Sequence, residues 1–160
     1  LVDATGLNRS SIYNTFGSKL DLYMECLRNY QSNSRQEIQK IIGNSKGALA
    51  TLKAIFLFNV ENNESGNNKG CLINNCTSEM ANQETVINQF LCNNQENMIQ
   101  MFQFLVEKGQ QEGVINKNQT AYEYALYLLT SFQGLKIAGI LTNERTHIES
   151  IVKTTLSVLK

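Results

Sequence analysis

The sequence has no proline. Proline inside a helix removes a hydrogen bond and clashes with the preceding turn, so its absence favours long uninterrupted helices. The chain also has no excess charge of either sign, with 14 Lys and Arg against 14 Asp and Glu. No overall field therefore draws it toward nucleic acid or an anionic membrane, and any such affinity has to be local. It contains no run of about 18 apolar residues, so no transmembrane helix is expected. No basic-then-apolar leader opens it, which leaves secretion unsupported and a cytoplasmic location expected. There is one histidine, His147, and none of the four cysteines, Cys26, Cys71, Cys76 and Cys92, forms a C-x-x-C pair. A zinc site is not expected, and the cysteines read as reduced, small core hydrophobes. G-x-S-x-G, H-E-x-x-H and a phosphate-cradling glycine loop are missing as well, so neither an enzyme nor a cofactor is expected.

What is present is 160 residues, of which 42% are apolar, enough for one domain's worth of chain with a sizeable core. The most informative stretch is Leu7-Asn8-Arg9-Ser10-Ser11-Ile12-Tyr13-Asn14-Thr15-Phe16-Gly17-Ser18-Lys19. It reads as a short helix, a one-glycine break and the start of a second helix. Asn8 suits an N-cap, and Leu7 and Ile12 are spaced to close as a hydrophobic staple. Ser18 with Asp21 three residues on makes an S-x-x-D capping box. Lys19 then falls in the first turn, where a cation works against the helix dipole unless an anion such as phosphate comes to that end. Only Ile12 and Phe16 form an apolar stripe on the short helix. A helix polar on most faces and capped at both ends is built to present side chains.

Before it, Leu1 to Thr5 reads as the last turn of a helix ended by Gly6, so the chain is expected to begin inside a structural unit. A long helix follows from Ser18 to Ile42, apolar at Leu22, Tyr23, Cys26, Leu27 and Tyr30, polar from Gln31 to Glu37, and apolar again at Ile38, Ile41 and Ile42. Such a helix is expected to bridge two packed bodies. Gly43-Asn44-Ser45 reads as a break. Further helices are expected from Lys46 to Val60, from Cys71 to Ala81 (short and largely buried), from Glu84 to Gln111, from Gln119 or Thr120 to Leu141, and from Glu144 onward. The polar stretch Glu61 to Lys69 reads as a mobile loop. No strand-like alternation is long enough to matter, so the class is all-α. In the last two helices Ser131, Gly134, Ala138 and Gly139 are small enough for another helix to approach closely. Ile148, Ile151, Val152 and Leu159 offer an apolar seam. Together these predict a homodimer joined as a four-helix bundle.

Gly6 to Lys19, followed by Leu22, resembles the DNA-binding signature of the tetracycline-repressor (TetR) family. The likeness rests on Tyr13, Phe16, Lys19 and Leu22 at successive spacings of three. Gly70-Cys71-Leu72-Ile73-Asn74 also resembles a segment of one regulator subgroup, and the helices that follow match the family's second domain in number and order. The resemblance implies a truncated helix-turn-helix DNA-binding unit over 1–42, lacking the first helix and most of the second. A long helix would join it to a ligand-binding and dimerisation domain over 43–160. With its supporting helices missing, such a chain is expected to bind DNA poorly or to hold its first residues loosely. Leu20 stands where the family often has an acidic residue.

The resemblance further implies that Arg9 to Phe16 enters the major groove of a palindromic double-stranded operator. Arg9 and Asn14 would read base edges, whereas Ser11, Tyr13 and Thr15 would reach phosphates, with Asn8 and Ser10 beside them. Lys19 would clamp a backbone phosphate, while Ile12 and Phe16 hold the motif from behind. A small, mostly apolar effector is expected among Phe56, Asn59, Asn75, Met98, Met101, Phe102 and Phe132. The implied function is a ligand-responsive transcriptional regulator, a repressor released from its operator by that effector. The rival is a helical interaction or ligand-binding protein without DNA binding. It accounts for the core and the seam but not for the capped polar helix with Tyr13 and Lys19.

Overall fold

In the computed structural model, which describes residues 2–61, 70–141 and 144–160 and the side chains of all of these but 59–61, the chain is helical throughout its ordered elements. The described residues form α1 (Val2–Thr5), α2 (Arg9–Phe16), α3 (Lys19–Asn44), α4 (Ala48–Glu61), α5 (Leu72–Met80), α6 (Thr85–Gln111), α7 (Ala121–Leu141) and α8 (Arg145–Ser157), with no strand among them. Two compact units are present, Leu1–Gln36 and Glu37–Lys160. The division falls inside α3, earlier than residue 42. The reason is that Ile38, Ile41 and Ile42 pack against the core of the second unit.

In the first unit, Ile12, Met24 and Leu27 are the buried hydrophobics. Leu7, expected to staple to Ile12, and Phe16, expected to hold the motif from behind, remain 50% and 39% exposed. Ile12 is therefore the only member of the short helix's apolar stripe that is buried.

The second unit is organised on α6 and α7, which share its most extensive helix–helix contact, with α4 and α8 packed against them. One ring from each of three helices meets at the centre. Phe56 of α4, Phe102 of α6 and Phe132 of α7 have centroids 5.5 to 6.1 Å apart, two of the three pairs edge to face. Such pairs add about 0.5–1.5 kcal/mol each beyond the area they bury. At the far end, Gly109 of α6 lies so close to its neighbours that a Cβ there would stand 2.4 Å from Ile115 Cδ1 and 3.1 Å from the Ala48 Cβ. Asn116 secures the end of α8. Its amide donates to the carbonyls of Val158 and Lys160, and its Oδ1 accepts from the Tyr124 hydroxyl.

Several expectations from the sequence are corrected here. The break expected over Gly43-Asn44-Ser45 begins later, at Ser45: α3 runs through Asn44, and the Ser45 N–H still reaches the Ile41 carbonyl at 3.0 Å. The chain turns instead at Gly47, whose φ of +86° only glycine adopts readily. Glu112 Oε2 then accepts the N–H of Ala48 and caps α4 from outside its own sequence. Helix α7 is long and apolar enough to cross a membrane by length and composition only, although Glu123 and Lys136 interrupt its apolar run. Its apolar length is explained by packing, since Tyr124, Ala125, Leu128, Leu129, Phe132, Leu135 and Gly139 are buried. Within α5, expected to be largely buried, only Cys76 is. Of the cysteines, Cys71 and Cys76 are buried, but Cys26 and Cys92 are exposed and free, so only two serve as core hydrophobes. The loop expected to be mobile lies, from Asn62 to Lys69, outside the described residues.

Candidate nucleic-acid interface

Helix α2 is fixed at both ends by groups that its own sequence supplies. Asn8 adopts extended backbone, and its Oδ1 accepts the Ser11 N–H at 2.8 Å. At the other end Gly17, with φ +87°, returns its N–H to the Tyr13 carbonyl at 2.8 Å. The following helix is capped in both directions. Asp21 Oδ2 accepts the Ser18 N–H and hydroxyl at 2.9 and 2.6 Å, and the Asp21 N–H donates back to Ser18 Oγ at 3.1 Å. Ser18's hydroxyl, and then its backbone N–H, hold the Asp21 carboxyl below its ordinary pKa. The carboxylate also offsets the unfavourable placement of Lys19 in the first turn. Among the described residues the N–H groups of Lys19 and Leu20 have no acceptor. Together with the Lys19 ammonium they leave that helix start open to an outside anion.

Between these caps the surface is polar and open. Arg9, Ser10, Tyr13, Asn14, Thr15 and Lys19 are all exposed, and Ser11 is partly so. Among the described residues no carboxylate pairs with Arg9 or Lys19. Tyr13, which could have been a core aromatic, is 49% exposed. Two side chains have less to offer than their residue type suggests. The Thr15 hydroxyl donates to the Ser11 carbonyl at 2.9 Å, so its proton is spent inside the helix and only lone pairs remain. Asn8 has committed its oxygen to the cap and keeps its amide N–H groups for other use. Seven of the eight residues predicted for this surface therefore lie on one short, doubly capped segment, and Lys19 stands at the start of the next helix.

The residues predicted for an effector separate into groups. Phe56, Phe102 and Phe132 come together in the aromatic centre, and Met98 and Met101 pack, half-buried, against the same cluster. Asn75 does not join them, being exposed on α5. The side chain of Asn59 lies outside those described. Sequence reading missed Lys136, whose Nζ stands 4.7 Å from the Phe132 centroid. The signal available was its position four residues after Phe132 on one helix face.

The predicted dimer seam is also divided. Ile148, Val152 and Leu159 are 3%, 2% and 0% exposed, members of the chain's own core. They cannot face a second chain, because the inward stripe of α8 already packs on its own unit. Ile151 is 40% exposed, Gly134 is exposed, and Ser131 and Ala138 are half-buried. Exposed apolar side chains not singled out from sequence extend the same surface: Tyr127 and Ile137 on α7 and Val158 beyond α8, at 39%, 53% and 47%.

No protein-family model and no curated protein matches the chain. Solved structures do. A cysteine mutant of CifR, a TetR family transcriptional regulator complexed with 26-base-pair double-strand operator DNA, aligns with a TM-score of 0.86 at 19% identity. That alignment covers 99% of this chain and 84% of that one. A TetR-family transcriptional regulator from Agrobacterium tumefaciens aligns with a TM-score of 0.89 at 16% identity, over 99% and 84% of the two chains. One from Streptomyces coelicolor aligns at 0.83 and 19%, over 99% and 80%. Likeness at these identities is a likeness of architecture, and the chain has the fold of the TetR-family transcriptional regulators.

Proposed function

We propose that this protein is a DNA-binding transcriptional regulator of the TetR family, a repressor that binds a palindromic operator as a homodimer and is released by a small, mostly apolar effector. The observation that carries the reading is α2. It is an eight-residue helix capped by Asn8 and Gly17, with Arg9, Tyr13 and Asn14 exposed and Lys19 at the start of the next helix. A similar fold bound to operator DNA supports the same use of this segment. Arg9 and Asn14 have the donor patterns that read guanine and adenine edges, and Lys19 with the free N–H groups beside it suits a phosphate. The half-exposed stripe of Tyr127, Ser131, Gly134 and Ala138 on α7, with Ile151 on α8, supports dimerisation. Two such helices from each chain would form a four-helix bundle. The effector reading rests on the aromatic centre and its two methionines, soft side chains that adapt to irregular apolar partners. An effector bound there would act by favouring a spacing of the two recognition helices that no longer fits the operator.

The test is a salt-dependent titration of duplex DNA with the intact protein and two variants. Lys19→Ala weakens every sequence about equally and lowers the salt slope by about one. Arg9→Ala relaxes preference at one position in each half-site, with a loss of about 1–3 kcal/mol on the preferred base. Equal affinity, preference and salt slope for all three proteins would sink the assignment, as would a monomer by light scattering at micromolar concentration.

A further inference from the structure

We propose that Lys136 anchors a carboxylate carried by the effector, an extension that rests on the effector reading. The molecule taken up by the second unit is then a small amphipathic acid, with its charged head at the junction of α5 and α7 and its apolar body toward the aromatic centre. Among the described residues every other lysine and arginine is exposed, and Lys136 alone is half-buried. Four of the exposed cations, Arg28, Lys40, Lys108 and Arg145, each pair with a glutamate three or four residues away. Lys136 pairs with no carboxylate among the described residues.

Its neighbours do not neutralise it. Lys136 Nζ stands 4.7 Å from the Phe132 centroid and 3.6 Å from Cys71 Sγ. A ring face attracts a cation by about 0.5–2 kcal/mol, and a thiol is only a weak acceptor. Taking water from an ammonium without supplying an anion costs free energy that such contacts offset only in part. The packing does not call for a charge there, since Phe132, Leu135 and Gly139 around it on α7 are apolar and buried. A carboxylate brought in by a ligand supplies the missing counter-charge through a charge-assisted hydrogen bond.

The junction that holds the ammonium is set by contacts on either side of it. One turn before Lys136, the Gln133 carbonyl accepts from Asn74 Nδ2 at 3.2 Å, tying the first turn of α5 to α7. One turn after it, Ile140 presses on Gly70, where a Cβ would stand 2.8 Å from Ile140 Cδ1. The Asn75 amide nitrogen, with no acceptor among the described residues, lies 3.7 Å from that same point and offers a neutral donor at the junction. A donor set fixed in this way loses little freedom when a ligand arrives. Phe132 links head and body, because its ring lies under the ammonium and also meets Phe56 and Phe102 at 5.5 and 5.7 Å. Met98 and Met101, half-buried against the same cluster, have flexible side chains suited to admitting an irregular apolar body.

The test is calorimetric titration of the full chain, without DNA, with 2-naphthoate and octanoate, each set against its neutral amide. Each acid binds about tenfold or more tightly than its amide, the effect of one hydrogen bond to a charged group. Lys136→Met removes that preference and Lys136→Arg keeps it. In the unmodified chain 2-naphthoate shields the Lys136 amine from acetylation by acetic anhydride while the exposed Lys153 reacts as before, so the outcome does not depend on a variant's folding. Equal affinity for acid and amide, a preference that survives Lys136→Met, an unshielded Lys136, or no binding of either acid would overturn the proposal. Operator release is measured separately. Lys136-dependent binding that leaves the operator complex intact removes the release and keeps the carboxylate site, whereas amides that bind as well as the acids and free the operator do the reverse.

Discussion

Replacing Gly109 with alanine sets two effects of comparable size against each other. Gly109 lies inside α6, two residues before its end, in ordinary helical conformation. On helix propensity alone, alanine gains up to about 1 kcal/mol there. The added methyl, however, would stand 2.4 and 2.6 Å from the Cδ1 and Cγ1 of Ile115 and 3.1 Å from the Ala48 Cβ. None of these neighbours retreats easily. Ile115 is 3% exposed, and its backbone N–H is bonded to the Gly109 carbonyl at 3.0 Å. Ala48 is held at the start of α4 by Glu112. Overpacking of this kind costs about 1–3 kcal/mol, and expelling the Ile115 side chain would cost a comparable amount in lost burial, about 1.5–3 kcal/mol. The clash wins, with a net loss of about 1–2 kcal/mol and a fall in Tm of roughly 2–4 °C for each kcal/mol in a chain of this size. Thermal unfolding by circular dichroism checks the sign. Ile115→Val removes the atom in the closest contact, so the double variant should lose less than the sum of the two single losses. An unchanged or raised Tm in Gly109→Ala would refute the packing argument.

Two further expectations follow from other parts of the structure. Asp21 is held below its ordinary pKa by Ser18's hydroxyl and backbone N–H, and Glu123 is held below its own by the Thr120 hydroxyl and backbone N–H. A depressed folded pKa means that each cap is complete above the ordinary carboxylate range, about pH 4, and is lost as pH falls through the folded value. Carboxyl NMR titration should therefore place the Asp21 midpoint below that range in the protein and raise it in Ser18→Ala; identical midpoints would remove the cap from the argument. Gly134 meets nothing within 4 Å where a Cβ would stand. In a single chain Gly134→Ala should thus gain about 1 kcal/mol, while close approach of a second helix would make the same methyl weaken the dimer. Sedimentation at graded concentrations separates the two, and a more stable protein with unaltered dimer affinity would move Gly134 off the seam.

The sequence by itself determined the local structure. Helix class, the Asn8 cap, the Gly17 stop and the Ser18–Asp21 box all depend on residues within a few positions of one another, and all were legible. For the same reason the candidate DNA-facing residues could be named together, since one short capped segment and the first turn after it carry all of them. The tertiary structure decided whatever depends on which face of a helix is already covered. Ile148, Val152 and Leu159 have the spacing of a seam, but spacing does not say whether the partner is the same chain or another, and here the chain's own core takes them. The break was read over Gly43-Asn44-Ser45, yet the turn came at Gly47, where Glu112 from a distant helix end completes the cap. Lys136 was passed over in the sequence, and folding brings the Phe132 ring and the Cys71 sulfur beside it. Contacts between residues far apart in sequence leave no trace in local pattern, because propensity and capping act over a few residues, whereas packing is decided by the whole chain at once.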